Sequence, residues 1–130
     1  MPITYQYESD ANIVRAKATE TITTKEILDY VTNITEDVTI ESGFVEVVDM
    51  ELVKDLVVTY SELGPFPNIW EKFMEKGCKA TVIYAPTDLS YGTIRMLQTF
   101  IATNHELAED LFIVVRSKEE LENKLKEIFA

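Results

Sequence analysis

The chain has 130 residues, of which 46% are hydrophobic and 27% charged, a composition typical of one globular domain with a single core. The net charge of −11 at pH 7, with scattered basic residues, argues against nucleic-acid and anionic-membrane partners. The sequence contains no apolar run long enough for a membrane span, no signal-peptide pattern, and only one cysteine, Cys78. We therefore expect one soluble, cytoplasmic domain over residues 1–130.

The first predicted element is a β-hairpin. Residues 3–8 alternate apolar and polar side chains, and residues 13–18 do so again after a short polar turn. A helix is then predicted to begin at a capping box made by Thr23 and Glu26. Apolar side chains at helical spacing carry this helix to about Thr35.

The middle of the chain is less regular. Residues 44–48 are β-branched and largely apolar, which predicts a strand covered on both faces. Residues 49–67 are harder to interpret. The segment 56–58 fits either a short strand or an extended connection. The segment 61–63 could begin a helix, but the Gly-Pro pair that follows would interrupt it. A firmer helix is predicted from Asn68, which forms a capping-box spacing with Glu71. Gly77 occupies the left-handed position after it.

The last third alternates strands and helices. A strand is predicted at 80–84, a helix capped within Pro86-Thr87-Asp88 that runs to about Asn104, and a strand at 111–115. Ser117 and Glu120 have capping-box spacing, and the final helix has apolar side chains at Leu121, Leu125, Ile128 and Phe129. The order predicts an α/β fold: a mixed, largely parallel sheet opened by an antiparallel β-hairpin, with helices packed against it.

This element order resembles that of the STAS domain, the fold of the SpoIIAA-like anti-sigma-factor antagonists. The run Ala-Pro-Thr-Asp-Leu-Ser-Tyr-Gly-Thr-Ile-Arg-Met at 85–96 strengthens the resemblance, because a strand, a Pro-Thr-Asp turn and a helix opening with Tyr-Gly are typical of the group. The resemblance implies a non-enzymatic regulatory or protein-interaction module.

The chain departs from the antagonists at their phosphorylation site. In that family, a strand-end aspartate precedes a loop with a phosphorylated serine. Asp49 matches the aspartate, but the family's spacing places Val-Val-Thr-Tyr at 57–60 where the loop should be. The nearest hydroxyls, Thr59 and Ser61, do not match the motif.

A candidate ligand site lies at the start of the third predicted helix. Asp88, Tyr91 and Arg95 have the spacing of one helix face, and Asp49 and Arg116 should join Asp88 beyond the carboxyl ends of the strands. Arg95 and Tyr91 would suit a small polar or anionic ligand. The alternative is structural: Asp88 caps the helix, Tyr91 is partly buried, and Arg95 forms a salt bridge beside them.

Other reactive side chains are isolated. His105 is expected at a helix end and Cys78 as a space-filling residue before a strand. One histidine and one cysteine do not make a zinc site, and no phosphate-binding glycine loop or nucleophile motif is present. The sequence thus predicts no catalytic residue, no cofactor and no metal ligand.

The third predicted helix also indicates an interface. Gly92 costs about 1 kcal/mol in a helix, so a close-packed neighbour is expected there, either a strand or another subunit. The helix is apolar on more than one side, which favours a homodimer.

Three functions remain open. The first is binding of a protein partner or self-association. The second is binding of a small apolar or lipid-like ligand, as in the similar CRAL-TRIO fold, in a pocket lined by Trp70, Phe73 and Phe100. The third is an enzyme, which would require Asp49, Asp88, Tyr91 and Arg95 to converge.

Overall fold

A five-stranded sheet in the order β1-β2-β3-β4-β5 forms the centre of the computed structural model, which describes residues 2–103 and 108–130. The strands are β1 (Ile3–Glu8), β2 (Ile13–Thr23), β3 (Val45–Val57), β4 (Ala80–Tyr84) and β5 (Phe112–Val115). The helices are α1 (Thr24–Glu36), α2 (Phe66–Lys76), α3 (Asp88–Ala102), the short α4 (Ala108–Leu111) and α5 (Lys118–Ile128), with a 3-10 turn at Tyr60–Glu62.

The sheet is mixed. Strands β1 and β2 pair antiparallel, and the pairs β2–β3, β3–β4 and β4–β5 are parallel. The α/β fold predicted from the sequence, with a hairpin opening a largely parallel sheet, is confirmed.

The two faces of the sheet are covered unequally. Helices α1, α2 and α3 cover one face, where most of the core lies, and α2 packs between its two neighbours. Helix α5 covers part of the other face, where Leu121, Leu125 and Ile128 pack on Val45, Val82 and their neighbours. Phe129, predicted to share this apolar side, follows the helix and is about half exposed. The edge strand β1 and its neighbour β2 keep a polar surface on the α5 side, with Thr4, Gln6, Arg15 and Lys17 exposed.

Most helix starts follow the predicted caps. Thr23 accepts a hydrogen bond from the backbone N–H of Glu26, whose carboxylate accepts one from the Thr23 N–H, so the predicted capping box is present. Thr87 caps α3 and Ser117 caps α5 through the N–H groups of Ser90 and Glu120. The structural alternative that made Asp88 the cap is therefore wrong, since Asp88 is the first residue of the helix. The Glu120 carboxylate bonds the Ser117 hydroxyl, so only half of that predicted box is confirmed.

Four predicted boundaries are wrong. Strand β2 does not stop near residue 18 but continues to Thr23. Strand β3 does not stop near residue 48 but runs to Val57, because β2 is also long and pairs with it to the end. Helix α2 begins at Phe66 instead of Asn68, since Pro67 fits the first helical turn, where no hydrogen-bond donor is needed. Leu111 ends α4 and does not begin β5. The predicted end of α3 at Asn104 lies outside the described residues.

Gly77 has the predicted left-handed backbone after α2, with φ of 99°. None of the helices in the described part of the chain has the length and hydrophobicity that a bilayer crossing requires.

Candidate functional site

An apolar cavity of about 90 Å³ lies between the sheet and the three helices that cover it. Its wall is almost entirely apolar. The helices contribute large side chains, and the sheet contributes residues from all five strands. The largest contributors from α2 are Phe66, Trp70 and Phe73.

The cavity lies beside a small residue of β2. Ala18, 1% exposed, pairs with Ile3 of β1 and faces the helices. An alanine at this position leaves room that a larger side chain would occupy. On the helix side, the space is bounded by aromatic residues of α2, whose rings pack against other aromatic rings of the core. The ring centroids of Trp70 and Phe112 are 5.8 Å apart, and those of Phe73 and Phe44 are 5.9 Å apart.

A buried carboxylate also borders the cavity. Glu46, on β3, is 4% exposed and pairs with Thr81 across the strands. Its two oxygens accept hydrogen bonds from the Tyr30 hydroxyl at 2.5 Å and from the Thr81 hydroxyl at 2.8 Å. Among the described residues, no lysine or arginine forms an ion pair with Glu46. Hydrogen bonds from Tyr30 and Thr81 therefore offset the free-energy cost of burying this carboxylate.

Burial controls the protonation of this network. Loss of solvent raises the pKa of Glu46, and the hydrogen bonds from Tyr30 and Thr81 offset only part of the rise. Burial and the nearby Glu46 charge raise the pKa of Tyr30 well above its ordinary value. The same two causes raise the pKa of the buried Cys78 thiol to about 12, which keeps it protonated and unreactive near neutral pH. This agrees with the structural role expected for Cys78.

A second hollow adjoins the cavity on its outer side. This outer groove, of about 330 Å³, lies between β1 and α1. Its wall shares Ile3 and Tyr30 with the cavity. Among the described residues, its charged members are Glu26 and Asp29.

The predicted ligand site is assembled only in part. Arg116 donates to the Asp88 carboxylate at 2.6 Å and to the Pro86 carbonyl at 3.1 Å, and its guanidinium lies 4.8 Å from the centre of the Tyr91 ring. Arg95 does not join them, because it donates to Gln98 one turn further along α3. Three of the five predicted residues thus meet at the carboxyl end of β5, and the salt bridge expected of Arg95 is made by Arg116.

Asp49 lies elsewhere. The interpretation of Asp49 as the end of its strand is wrong, because β3 continues for eight further residues. The neighbouring strand β4 does end beside Asp49, since its last residue, Tyr84, pairs with Asp49. Its carboxylate accepts a hydrogen bond from the Glu51 N–H at 2.8 Å. It borders an open trough on the α5 face, together with Lys17 and Leu121. The convergence required by the enzyme hypothesis is therefore not formed by these side chains.

The remaining predicted residues have diverse surroundings. Thr59 and Ser61 are exposed hydroxyls 3.2 Å apart, and Thr59 also donates to Glu62. Neither was predicted to be a phosphorylation site, because neither matches the antagonists' motif. His105 lies outside the described residues, and within those described no three His, Cys, Asp or Glu side chains are grouped to hold a metal ion.

Two further expectations concern packing. A Cβ placed on Gly92 would meet nothing within 4 Å, so no strand in the described part of the chain packs on it. Trp70 and Phe73 line the cavity as the ligand hypothesis expects, whereas Phe100 lines a separate groove on the outside of α3.

The sequence reasoning missed Glu46. The signal was available, because 44–48 was predicted to be covered on both faces, and a glutamate within such a strand must be buried. Its partners Tyr30 and Thr81 are distant in sequence, so their identity required the fold.

Comparisons with known proteins bear on the fold. No protein-family model and no curated protein matches the chain. The chain is similar to the crystal structure of an uncharacterized DUF3478-family protein with a SpoIIAA-like fold from Shewanella loihica PV-4, with a TM-score of 0.53 at 15% identity. The match covers 95% of this chain and 91% of that one. The fold is SpoIIAA-like. The resemblance in element order is thus confirmed for the fold, and this level of identity shows nothing beyond it.

Proposed function

We propose that this SpoIIAA-like domain is a non-enzymatic binding module that takes a small apolar molecule into the cavity beneath α2. The observation that carries the proposal is the cavity itself, an apolar space of about 90 Å³ inside an otherwise packed core. The polar groups beside it are already hydrogen-bonded to one another, so a ligand need not supply polar partners.

The energetics support a ligand. An empty cavity costs about 24 cal/mol per Å³, so this one costs about 2 kcal/mol of stability, part of which a well-fitting occupant restores. Pockets for drug-sized ligands have volumes of about 300–1,000 Å³, whereas benzene and xenon enter an apolar cavity of about 150 Å³. The expected ligand is therefore a small hydrocarbon group or one end of a longer molecule.

Xenon and benzene are suitable probes of the cavity. We expect both to shift the amide NMR signals of residues around Ala18 and Trp70 and to raise the melting temperature in proportion to the logarithm of ligand concentration. The Ala18→Leu variant fills the cavity and should abolish both effects. The matched control Ala102→Leu, at the half-buried end of α3, should retain them. Absence of binding by the unmodified protein would refute the proposal.

Self-association is a second candidate, favoured by the outer surface of α3. Tyr60 is 74% exposed and rests its ring edge-on against Phe100, with centroids 6.1 Å apart. Together with Gly92, Arg95 and Met96, they border a groove of about 450 Å³. Since none of the residues that the structure describes comes within 4 Å of a Cβ on Gly92, a helix of a second copy has close access to the α3 backbone.

Sedimentation analysis of two variants tests this second candidate. If α3 forms a dimer interface, Tyr60→Ser should shift the protein toward monomer. Val38→Ser, which changes a 94% exposed side chain elsewhere, should not. A protein that is monomeric at all accessible concentrations would exclude the interface.

A further inference from the structure

We infer that the ligand is an amphiphile with an ammonium head, whose apolar tail fills the cavity while its head lies in the outer groove between β1 and α1. This inference rests on the proposed function, and it adds the chemical class of the ligand and its route of entry.

The first step is the adjacency of the two hollows. Ile3 and Tyr30 belong to the wall of both. These two side chains therefore form the partition between the apolar cavity and the outer groove. A molecule that crosses this partition has one end in an apolar space and the other beside polar side chains, which is the arrangement that an amphiphile requires.

The second step concerns which part of the partition moves. Tyr30 is 7% exposed, and it is held by its hydrogen bond to Glu46 and by an edge-on contact with the Tyr5 ring at 6.1 Å. Ile3 is only partly buried and lies on an outer strand of the sheet, opposite the small Ala18. A change of the Ile3 rotamer opens the partition without breaking a hydrogen bond, so Ile3 is the gate.

The third step is the charge of the head. The outer groove is lined by the carboxyl groups of Glu26 and Asp29, by Asn33 and by Thr4, and no lysine or arginine belongs to the wall as described. Lys25 reaches Asp29 at 2.7 Å from an exposed position, with its side chain 83% accessible. With a net charge of −11 for the chain, this surface attracts cations and repels phosphate or carboxylate heads. One oxygen of each carboxylate is already engaged, since Glu26 Oε1 accepts from the Thr23 N–H and Asp29 Oδ2 accepts from Lys25. An ammonium group supplies only donors, and it would bond the second oxygen of each.

The test compares three six-carbon probes that differ only in the head: hexylammonium, hexanol and hexanoate. Calorimetric or NMR titration at pH 7 and low salt should show hexylammonium binding at least tenfold more tightly than hexanol, with hexanoate weakest. The double variant Glu26→Gln, Asp29→Asn should reduce hexylammonium to the affinity of hexanol and leave benzene binding unchanged. Glutamine keeps the capping box of α1. The control pair Glu71→Gln, Glu75→Gln, exposed on α2, should preserve the preference.

The gate is tested separately. Ile3→Ala should increase the association rate of hexylammonium several-fold, and Ile3→Trp should slow it. Equal affinities of the three probes, with benzene still bound, would overturn the inference and leave the proposed function standing. If benzene and xenon also fail to bind, the proposed function itself fails.

Discussion

Tyr30 donates its phenolic hydrogen to Glu46 across 2.5 Å, and the two side chains are 7% and 4% exposed. Tyr30→Phe removes one of the two donors recorded for this carboxylate. We expect a loss of about 1–3 kcal/mol in the free energy of unfolding, because a buried acceptor is left without its partner. Urea denaturation measures the loss. Tyr60→Phe, on an exposed ring, should leave the midpoint unchanged, and equal midpoints for all three proteins would contradict the interpretation.

Glu46 also predicts how stability depends on pH. Its pKa is raised in the folded protein, so the folded state holds the proton more tightly than the unfolded state. The stabilising contribution is therefore complete below the ordinary glutamate value of 4.5 and is lost as the pH rises through the raised pKa.

The Glu46→Gln variant isolates this effect. The free energy of unfolding of the unmodified protein, minus that of Glu46→Gln, should decrease as the pH rises from about 4 toward neutrality. Denaturation at several pH values gives this difference directly, and Glu75→Gln serves as the exposed control. A pH-independent difference would show that Glu46 has the same proton affinity in both states.

Replacement by alanine should have opposite effects on stability at Gly92 and at Gly77. Gly92→Ala should stabilise the monomer by about 0.5–1 kcal/mol, because alanine is the better helix former and its Cβ meets nothing within 4 Å. Gly77→Ala should be destabilising by more than about 1 kcal/mol, since φ is 99° and the new Cβ would lie 2.1 Å from the Ser42 Oγ. Thermal melts of the two variants at low protein concentration make the comparison. Destabilisation by both would indicate that Gly92 has a close neighbour after all.

The ion pair between Arg116 and Asp88 should contribute little to the free energy of unfolding. The Asp88 side chain is 96% exposed, so solvent and salt screen the pair despite its 2.6 Å separation. A double-mutant cycle with Arg116→Gln and Asp88→Asn should give a coupling energy of at most about 1 kcal/mol that disappears at 1 M salt. A larger, salt-resistant coupling would mean that this cluster is shielded by something absent from the monomer.

Local sequence signals predicted the fold well where the chemistry is local. The Thr23–Glu26 box, a cap within Pro86-Thr87-Asp88 and the left-handed Gly77 each act within one helical turn, and the structure has each of them. The predicted boundary of β3 was wrong because the length of a parallel strand depends on its partner, here the long β2, which pairs with β3 as far as Val57.

The candidate site was harder to predict. The cavity depends on where aromatic rings from α2 meet the small Ala18 on a distant strand, and no spacing in the sequence encodes that meeting. The cluster around Arg116 was partly foreseen, because strand ends and helix starts follow from the element order. The direction taken by Arg95 depends on Gln98, a buried side chain of α3 that no sequence pattern marks as its partner.

Strand β3 continues past the end of β4 and, from Met50 onward, is paired only with β2 in the described residues. Its free side would otherwise be a template for another strand, the usual route to edge-to-edge aggregation. The carboxylates of Asp49 and Asp55 accept hydrogen bonds from the N–H groups of Glu51 and Leu56 along this stretch. Glu51, Lys54 and Asp55 are exposed on this stretch, so an incoming strand would meet charged side chains there. Charge on an unpaired strand is one of the means by which proteins discourage fibril-like growth.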